Sequence, residues 1–150
     1  MQKIELRLAT ADDVDTLTDV FLRARRMAMP YLPSLYTAAE VTYWLTHIVL
    51  PGSRLIVAHM ADAGPMGFSA VRSGQLDHLY VQPCSQGCGV GTSLLADAMK
   101  NSPEGLRLYV FQRNTRAREF YQKNGFRLVE LRQGSENEEN EPDAVYEWRP

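Results

Sequence analysis

The sequence has few of the features that mark a disulfide-rich, metal-binding or membrane-spanning protein. Its only two cysteines, Cys84 and Cys88, lie too close together to close a long loop, and no second Cys or His pair accompanies them as a zinc site requires. No window approaches the ~20 apolar residues that cross a bilayer. The first ten residues lack the apolar stretch of a signal peptide. These absences predict free thiols in a reducing compartment, no bound metal, no membrane partner and a cytoplasmic location.

An excess of basic residues is also missing, because 16 Lys and Arg residues face 18 Asp and Glu residues, for a net charge of −2. A nucleic-acid-binding surface needs a concentrated basic stripe, so we predict no nucleic-acid partner. The hydrophobic fraction of 45% and the charged fraction of 23% are typical of a globular protein. A chain of this length buries roughly 70% of its unfolded surface. We therefore predict one domain over residues 1–150.

Hydrophobic patterns predict eleven elements in the order β-α-α-β-β-β-α-β-α-β-β. The predicted strands cover residues 4–8, 54–60, 67–71, 76–81, 106–111, 126–131 and 144–148. Capping-box sequences at Thr10 and Thr37 predict the first two helices. The second helix is expected to have an apolar face of Val41, Trp44, Leu45 and Ile48. This order predicts an α/β (α+β) fold, with a mixed sheet of six to seven strands and helices on both faces.

A glycine-rich loop follows the fourth predicted strand. Gly87, Gly89 and Gly91 let backbone N–H groups approach a ligand closely, because no Cβ is in the way. The next helix adds its unpaired first-turn donors and the positive end of its dipole, so the loop predicts a phosphate site. The loop is not of the Walker type, because no lysine stands between Gly91 and Thr92. It is not a dinucleotide fingerprint either, since its spacing is G-x-G-x-G and it follows the fourth strand.

The spacing Gln86-x-x-Gly89-x-Gly91 resembles the acetyl-CoA signature Q/R-x-x-G-x-G/A of the GNAT superfamily of N-acetyltransferases. The resemblance implies that backbone amides of the loop hold the CoA pyrophosphate and that the preceding strand end pairs with the pantetheine arm. The implied cofactor-binding residues here are Leu79, Tyr80, Val81, Gln86, Gly87, Cys88, Gly89, Val90, Gly91 and Thr92. An unliganded glycine-rich β–α turn is the alternative interpretation.

A second segment, residues 114–126, resembles the N-x-x-A-x-x-F-Y-x-x-x-G-F element of the same family. Its pattern alone predicts a helix capped by Asn114 and ended by Gly125. The resemblance implies further that Asn114 contacts the pantetheine or its bound waters and that Phe120 packs on it. It also implies that Tyr121 directs its hydroxyl at the CoA sulfur, where a phenol can donate a proton to the leaving thiolate. Together the two motifs imply an N-acetyltransferase with acetyl-CoA as co-substrate and no metal.

Neither motif identifies the general base that removes the proton of the acceptor amine. In the family the base often lies on the strand before the loop, an even number of residues upstream of its last hydrophobic position. Side chains alternate along a strand, so Asp77 shares a face with Val81 and is our first prediction. His78 takes that place if a bulge swaps the faces, and imidazole titrates nearer neutral pH. The alternatives are a surface carboxylate for Asp77 and a packed histidine for His78.

The resemblance places the acceptor pocket at the first two helices, their connecting loop and the later hairpins. We therefore predict that Tyr31, Leu32 and Tyr36 bind the acceptor, a primary amine of a small molecule or a peptide. Residues 134–143 carry five acids and no base, which predicts a solvated loop; the alternative is that the acids of residues 136–143 attract a cationic acceptor. Two other functions fit the motifs: a non-catalytic acyl-CoA-binding module, and an acyltransferase with a different acyl-CoA or acceptor. The resemblance also allows a homodimer.

Overall fold

The structure is a computed structural model that describes residues 3–61 and 63–150. Its strands are β1 (Ile4–Leu8), β2 (Arg54–Met60), β3 (Gly67–Arg72), β4 (Gln75–Val81), β5 (Leu106–Phe111), β6 (Arg127–Arg132) and β7 (Asp143–Trp148). Its helices are α1 (Val14–Ala28), α2 (Ala38–Trp44), α3 (Leu50–Gly52), α4 (Val90–Lys100) and α5 (Thr115–Lys123), and a π-helical turn (Leu45–Val49) joins α2 to α3. The predicted element order is confirmed, with α2, the π-helical turn and α3 together in the place of the second predicted helix.

The seven strands form one mixed sheet in the order β1-β2-β3-β4-β5-β7-β6. All neighbours are antiparallel except β4 and β5, which run parallel. Within the described chain, the ladder between β4 and β5 is limited to the pair Gln75 and Arg107, at the start of both strands. The two strands therefore diverge towards their carboxyl ends and open a wedge in the middle of the sheet.

Helices cover both faces of the sheet, as predicted. Along β2, Leu55 and Val57 pack in one buried cluster with residues of α1 and α2, while Ile56 and Ala58 pack in another with residues of α4. This alternation follows from the two-residue period of a strand. A third cluster joins α4 and α5 to β5 and β7, with Tyr146 at its centre. Burial of each large apolar side chain contributes about 1.5–3 kcal/mol, so these clusters fix the frame around the wedge.

The predicted apolar face of the second helix needs one correction. Val41 and Leu45 are buried as expected, but Ile48 is 60% exposed and Val49 is buried in its place. The cause is the π-helical turn over Leu45–Val49, which adds one residue to the turn and moves the buried position on by one. No helix of the described chain has both the length and the apolar character to span a membrane.

The acidic segment between β6 and β7 is a largely exposed loop, as predicted, and side-chain contacts to neighbouring elements hold it in place. Arg132 donates two hydrogen bonds of 2.7 Å to the buried carboxylate of Asp143. Asn137 donates to the Glu141 carbonyl at 2.7 Å, and Arg113 makes two contacts of 2.7 and 2.8 Å with the Glu141 carboxylate. The segment contains no base of its own, but basic residues from neighbouring elements neutralise it.

Candidate active site

The wedge between the two parallel strands forms a cavity of about 500 Å³, which we name the β4–β5 cleft. It is lined by residues 76–80 of β4, residues 108–111 of β5 and three residues of the second motif, Asn114, Ala117 and Tyr121. Beyond Gln75 the β5-facing edge of β4 has no ladder partner in the described chain. Its backbone groups can therefore pair with an extended amide chain, as the free edge of any sheet can. Leu79, Tyr80 and Val81 lie on this edge.

The glycine-rich loop has the open backbone that an anion site requires. Gly87 and Gly89 have φ angles of +83° and +86°, a conformation that side-chain-bearing residues rarely adopt. A Cβ at Gly87 would meet nothing within 4 Å, and one at Gly89 would meet only Ile4 at 3.9 Å. Gly89 is the N-cap of α4, whose first N–H groups lack intrahelical partners. These features fit the pyrophosphate of acetyl-CoA.

The two motifs are in contact with each other. A Cβ added at Gly91 would lie 3.6 Å from the Phe120 ring and 3.7 Å from the Val81 side chain. Phe120 in turn packs edge-to-face on Tyr121, with ring centroids 5.2 Å apart. The Asn114 side chain accepts a hydrogen bond from the Ala117 N–H at 3.3 Å, which confirms its predicted role as helix cap. The structure thus brings the glycine-rich loop, the end of β4 and the second half of α5 together.

Tyr121 lines the β4–β5 cleft from the side of α5. Its side chain is only 8% exposed and packs against Phe126 as well as Phe120. Burial, with a smaller contribution from the nearby Tyr80 phenol, raises the pKa of Tyr121 above the ordinary value for a phenol. Its hydroxyl therefore stays protonated at neutral pH and is available as a hydrogen-bond donor.

A bulge occurs in β4, at the position of the two candidate bases. Ala70 of β3 faces His78, while the next residue, Val71, faces Leu76, so Asp77 is the extra residue. The alternation argument that favoured Asp77 does not hold across this bulge, and both candidates line the β4–β5 cleft. The Asp77 carboxylate is paired with Arg72, whose Nε donates to it at 3.1 Å.

His78 lies in an aromatic environment. Its ring stands edge-on to Trp44 at 4.8 Å and is stacked near Tyr80 at 6.1 Å, and its Nδ1 is buried without a hydrogen-bond partner in the described chain. Burial, together with the positive charges of Arg25 and Arg72, lowers the pKa of His78 from 6.5 to about 4. The imidazole is therefore neutral at pH 7, and one of its nitrogens can accept a hydrogen bond.

This lowered pKa predicts a specific loss of stability in acid. Between pH 6.5 and about 4 the unfolded chain binds a proton at His78 and the folded chain does not, so stability falls as the pH is lowered. We expect this residue to account for about 3 kcal/mol of the loss. Urea unfolding at pH 7 and pH 4 should show that a His78→Phe variant loses less stability than the wild type. Equal losses in the two proteins would show that His78 titrates normally.

A second cavity, of about 870 Å³, lies beside α1 and α2, and we name it the α1–α2 pocket. Leu32 and Tyr36 line it, as does Trp44. Tyr31 does not line this pocket, and its binding of the acceptor stays a prediction. The Tyr31 ring is covered by the Arg113 guanidinium at 3.6 Å from the ring centroid, and its hydroxyl is buried.

Three residues line both cavities: Met29, His78 and Glu139. We name this place the junction. The sequence offered Glu139 only as one of the acids of residues 136–143, and it gave no signal for Arg25, which lines the pocket and lies 3.8 Å from the Glu139 carboxylate. Arg25 also donates to the Tyr80 hydroxyl at 3.3 Å and lies 5.2 Å over the Phe21 ring. No local pattern marks either residue, because they come together only through the fold.

The fold and the two motifs define an acetyl-CoA-dependent acetyltransferase, and comparison with known proteins agrees. Residues 51–128 match the family model for the acetyltransferase (GNAT) domain, which is more than half of the chain. The chain therefore belongs to the GNAT family, as the motifs implied, and is an enzyme that moves an acetyl group from acetyl-CoA to an amine.

Individual relatives support this assignment. The chain is 29% identical over 126 residues to the peptidyl-lysine N-acetyltransferase YjaB of Escherichia coli (strain K12). The aligned residues cover 84% of each protein. The solution structure of apo YjaB from Escherichia coli superposes with a TM-score of 0.81 at 26% identity, over 97% of both chains. The PaiA N-acetyltransferase of Thermoplasma acidophilum, solved in complex with coenzyme A, has the same fold, with a TM-score of 0.73 at 22% identity over 99% of both chains.

Proposed function

We propose that the acceptor is the ε-amino group of a lysine side chain in a peptide, which enters through the α1–α2 pocket. The observation that carries this proposal is the junction, where Met29, His78 and Glu139 border both cavities. An extended side chain can pass from one cavity to the other at this place. The relative YjaB, a peptidyl-lysine N-acetyltransferase, supports the same acceptor class.

On this proposal the β4–β5 cleft and the glycine-rich loop hold the co-substrate. Acetyl-CoA supplies the acetyl group as a thioester, whose sulfur leaves as the CoA thiol. The backbone N–H groups of residues 87–92 bind the pyrophosphate, and residues 79–81 pair with the pantetheine arm. Gln86 orients the loop, while Asn114 and Phe120 border the arm from α5. The geometry that supports this assignment is the free edge of β4 beside the open glycine loop.

The proton transfers are assigned to residues of the cleft. An ammonium acceptor loses one proton to a base before its nitrogen lone pair can attack the acetyl carbonyl. His78 or Asp77 takes that proton, directly or through water, and releases it to solvent. A backbone N–H near Val81 stabilises the charge that develops on the carbonyl oxygen. Tyr121 donates its hydroxyl proton to the leaving sulfur and regains one from the attacking nitrogen. The amide formed keeps the third hydrogen.

The acceptor class is tested by a panel of amines with thiol release as the readout. We expect the highest kcat/KM for a lysine peptide with a blocked N-terminus, followed by small alkylamines that lack the peptide backbone. Mass spectrometry should locate the acetyl group on the lysine Nε, and the same peptide with pre-acetylated lysine serves as the control. Efficient acetylation of small alkylamines without any acetylation of lysine peptides would contradict the proposal.

A cytoplasmic location and a homodimer stay predictions.

A further inference from the structure

We propose that the Glu139 carboxylate binds the ammonium group of the acceptor at the junction and thereby selects charged amines over uncharged ones. The inference rests on the amine-acetylating activity and on entry through the α1–α2 pocket. It assigns a specificity-determining role to a residue of the β6–β7 loop, outside both sequence motifs. The role is binding, and it is separate from the proton transfers assigned to β4 and α5.

Glu139 differs from the other carboxylates that border the pocket by its position and burial. Its side chain is only 13% exposed and lines both cavities. Glu138 is exposed at the rim, where it accepts a hydrogen bond from the Tyr36 hydroxyl. Glu40 is also exposed, and it accepts a hydrogen bond from the Thr37 N–H as part of the helix cap. Of the three carboxylates that line the α1–α2 pocket, Glu139 is therefore the one that also borders the β4–β5 cleft.

The Glu139 carboxylate still has free hydrogen-bonding capacity. Its charged neighbour Arg25 lies at 3.8 Å, which is longer than a hydrogen bond, and no closer polar partner is found within residues 3–61 and 63–150. A carboxylate has two oxygens with about four lone-pair sites. The lone pairs that no protein group uses can accept a hydrogen bond from a donor that enters the junction. An ammonium group entering the junction supplies that donor.

The second polar group at the junction points to the same ligand. The His78 Nδ1 is buried and has no partner in the described chain, and the imidazole is neutral at pH 7 because its pKa is lowered to about 4. A neutral imidazole and a carboxylate can both accept hydrogen bonds. An ammonium group carries three donors and no acceptor, so it matches this pair, whereas a carboxylate-bearing group would be repelled.

Arg25 opposes the binding of a second cation, and this opposition makes the inference testable. The guanidinium is held independently of Glu139, by the Tyr80 hydroxyl at 3.3 Å and by the Phe21 ring. Its positive charge repels an incoming ammonium group. Removal of Arg25 and removal of the Glu139 charge should therefore change the affinity for a charged acceptor in opposite directions.

The loop that carries Glu139 is held in place by contacts that do not involve this residue. Asp143 and Glu141 bind Arg132 and Arg113 respectively, and the Asn137 side chain bridges to the Glu141 carbonyl. A Glu139→Gln substitution removes the charge and keeps the size of the side chain, so the loop should retain its conformation. The site is thus preorganised by its supporting contacts.

The experiment compares wild type, Glu139→Gln and Glu130→Gln with two acceptors at pH 7. One acceptor is the N-terminally blocked lysine peptide, and the other is an aromatic amine that is uncharged at this pH. For Glu139→Gln we expect the KM of the lysine peptide to rise at least tenfold, with little change in kcat and no change for the aromatic amine. Glu130→Gln removes an equal charge from the exposed strand β6 and should leave both acceptors unaffected.

An Arg25→Met variant provides the second measurement, with thermal unfolding to verify that it is folded. If Glu139 binds the ammonium, this variant lowers the KM of the lysine peptide. If Glu139 only anchors the loop to α1 through Arg25, both variants raise the KM of both acceptors alike, and the inference is overturned. An unchanged KM in Glu139→Gln overturns it too. Should the wild type acetylate alkylamines but no lysine peptide, the proposed function fails, and the charged alkylamine takes the place of the peptide in this test.

Discussion

Replacement of Tyr121 with phenylalanine is expected to lower kcat by about 10²–10⁴, the usual contribution of a positioned proton donor. The substitution removes one hydroxyl from a side chain that is otherwise buried against Phe120 and Phe126. The leaving thiolate then has to take its proton from water or from the amine directly. Because the ring and its packing are retained, the fold and the binding of acetyl-CoA should be preserved.

The measurement is steady-state kinetics with thiol detection at saturating acetyl-CoA and acceptor. The thermal stabilisation by CoA serves as the control, since it should equal that of the wild type and so separate a chemical defect from a binding defect. A kcat within a factor of three of the wild type would remove Tyr121 from the mechanism. A loss of both kcat and CoA stabilisation would mean that the hydroxyl acts in binding instead.

Much of the fold is predictable from the sequence because its signals are local. The alternation in Ile4–Leu8 and the short apolar run Leu106–Phe111 each specify a strand without reference to the rest of the chain. The capping box at Thr37 likewise specifies where α2 begins, and the structure shows both of its hydrogen bonds, with Glu40 as the partner. The glycine spacing at Gly89 and Gly91 depends on backbone freedom, which is also a local property.

The remaining features depend on contacts between distant parts of the chain. The bulge at Asp77 arises from the register of β4 against β3, and no residue type in β4 signals it. The acidic loop is held by Arg113 and Arg132, which lie outside it. Its own composition therefore could not predict these contacts. Arg25 and Glu139 meet at the junction only when α1 and the β6–β7 loop pack on the same side of the wedge. Composition cannot reveal such a pair.

A Gly89→Glu substitution is expected to abolish the stabilisation by acetyl-CoA. At about 100 times its Kd, the ligand should add about 2.7 kcal/mol to the free energy of unfolding of the wild type. For a domain of this size that is roughly a 5–10 °C rise in Tm. In the variant a carboxylate stands at the N-cap of α4, in the open space beside the loop, where it repels the pyrophosphate and displaces it from the backbone N–H groups.

The substitution also strains the backbone, because Gly89 has a φ of +86°, and this strain has to be separated from the loss of binding. Gly74 provides the matched control: its φ is +77°, a Cβ there would meet only the Gly105 carbonyl at 3.8 Å, and it lies in the β3–β4 turn. Both Gly→Glu variants should lose about 1–3 kcal/mol of stability from the strained conformation. Only Gly89→Glu should lose the rise in Tm with acetyl-CoA and with CoA. If the two variants respond equally to the ligand, the glycine-rich loop does not bind the pyrophosphate, and the co-substrate has to be held elsewhere along the wedge.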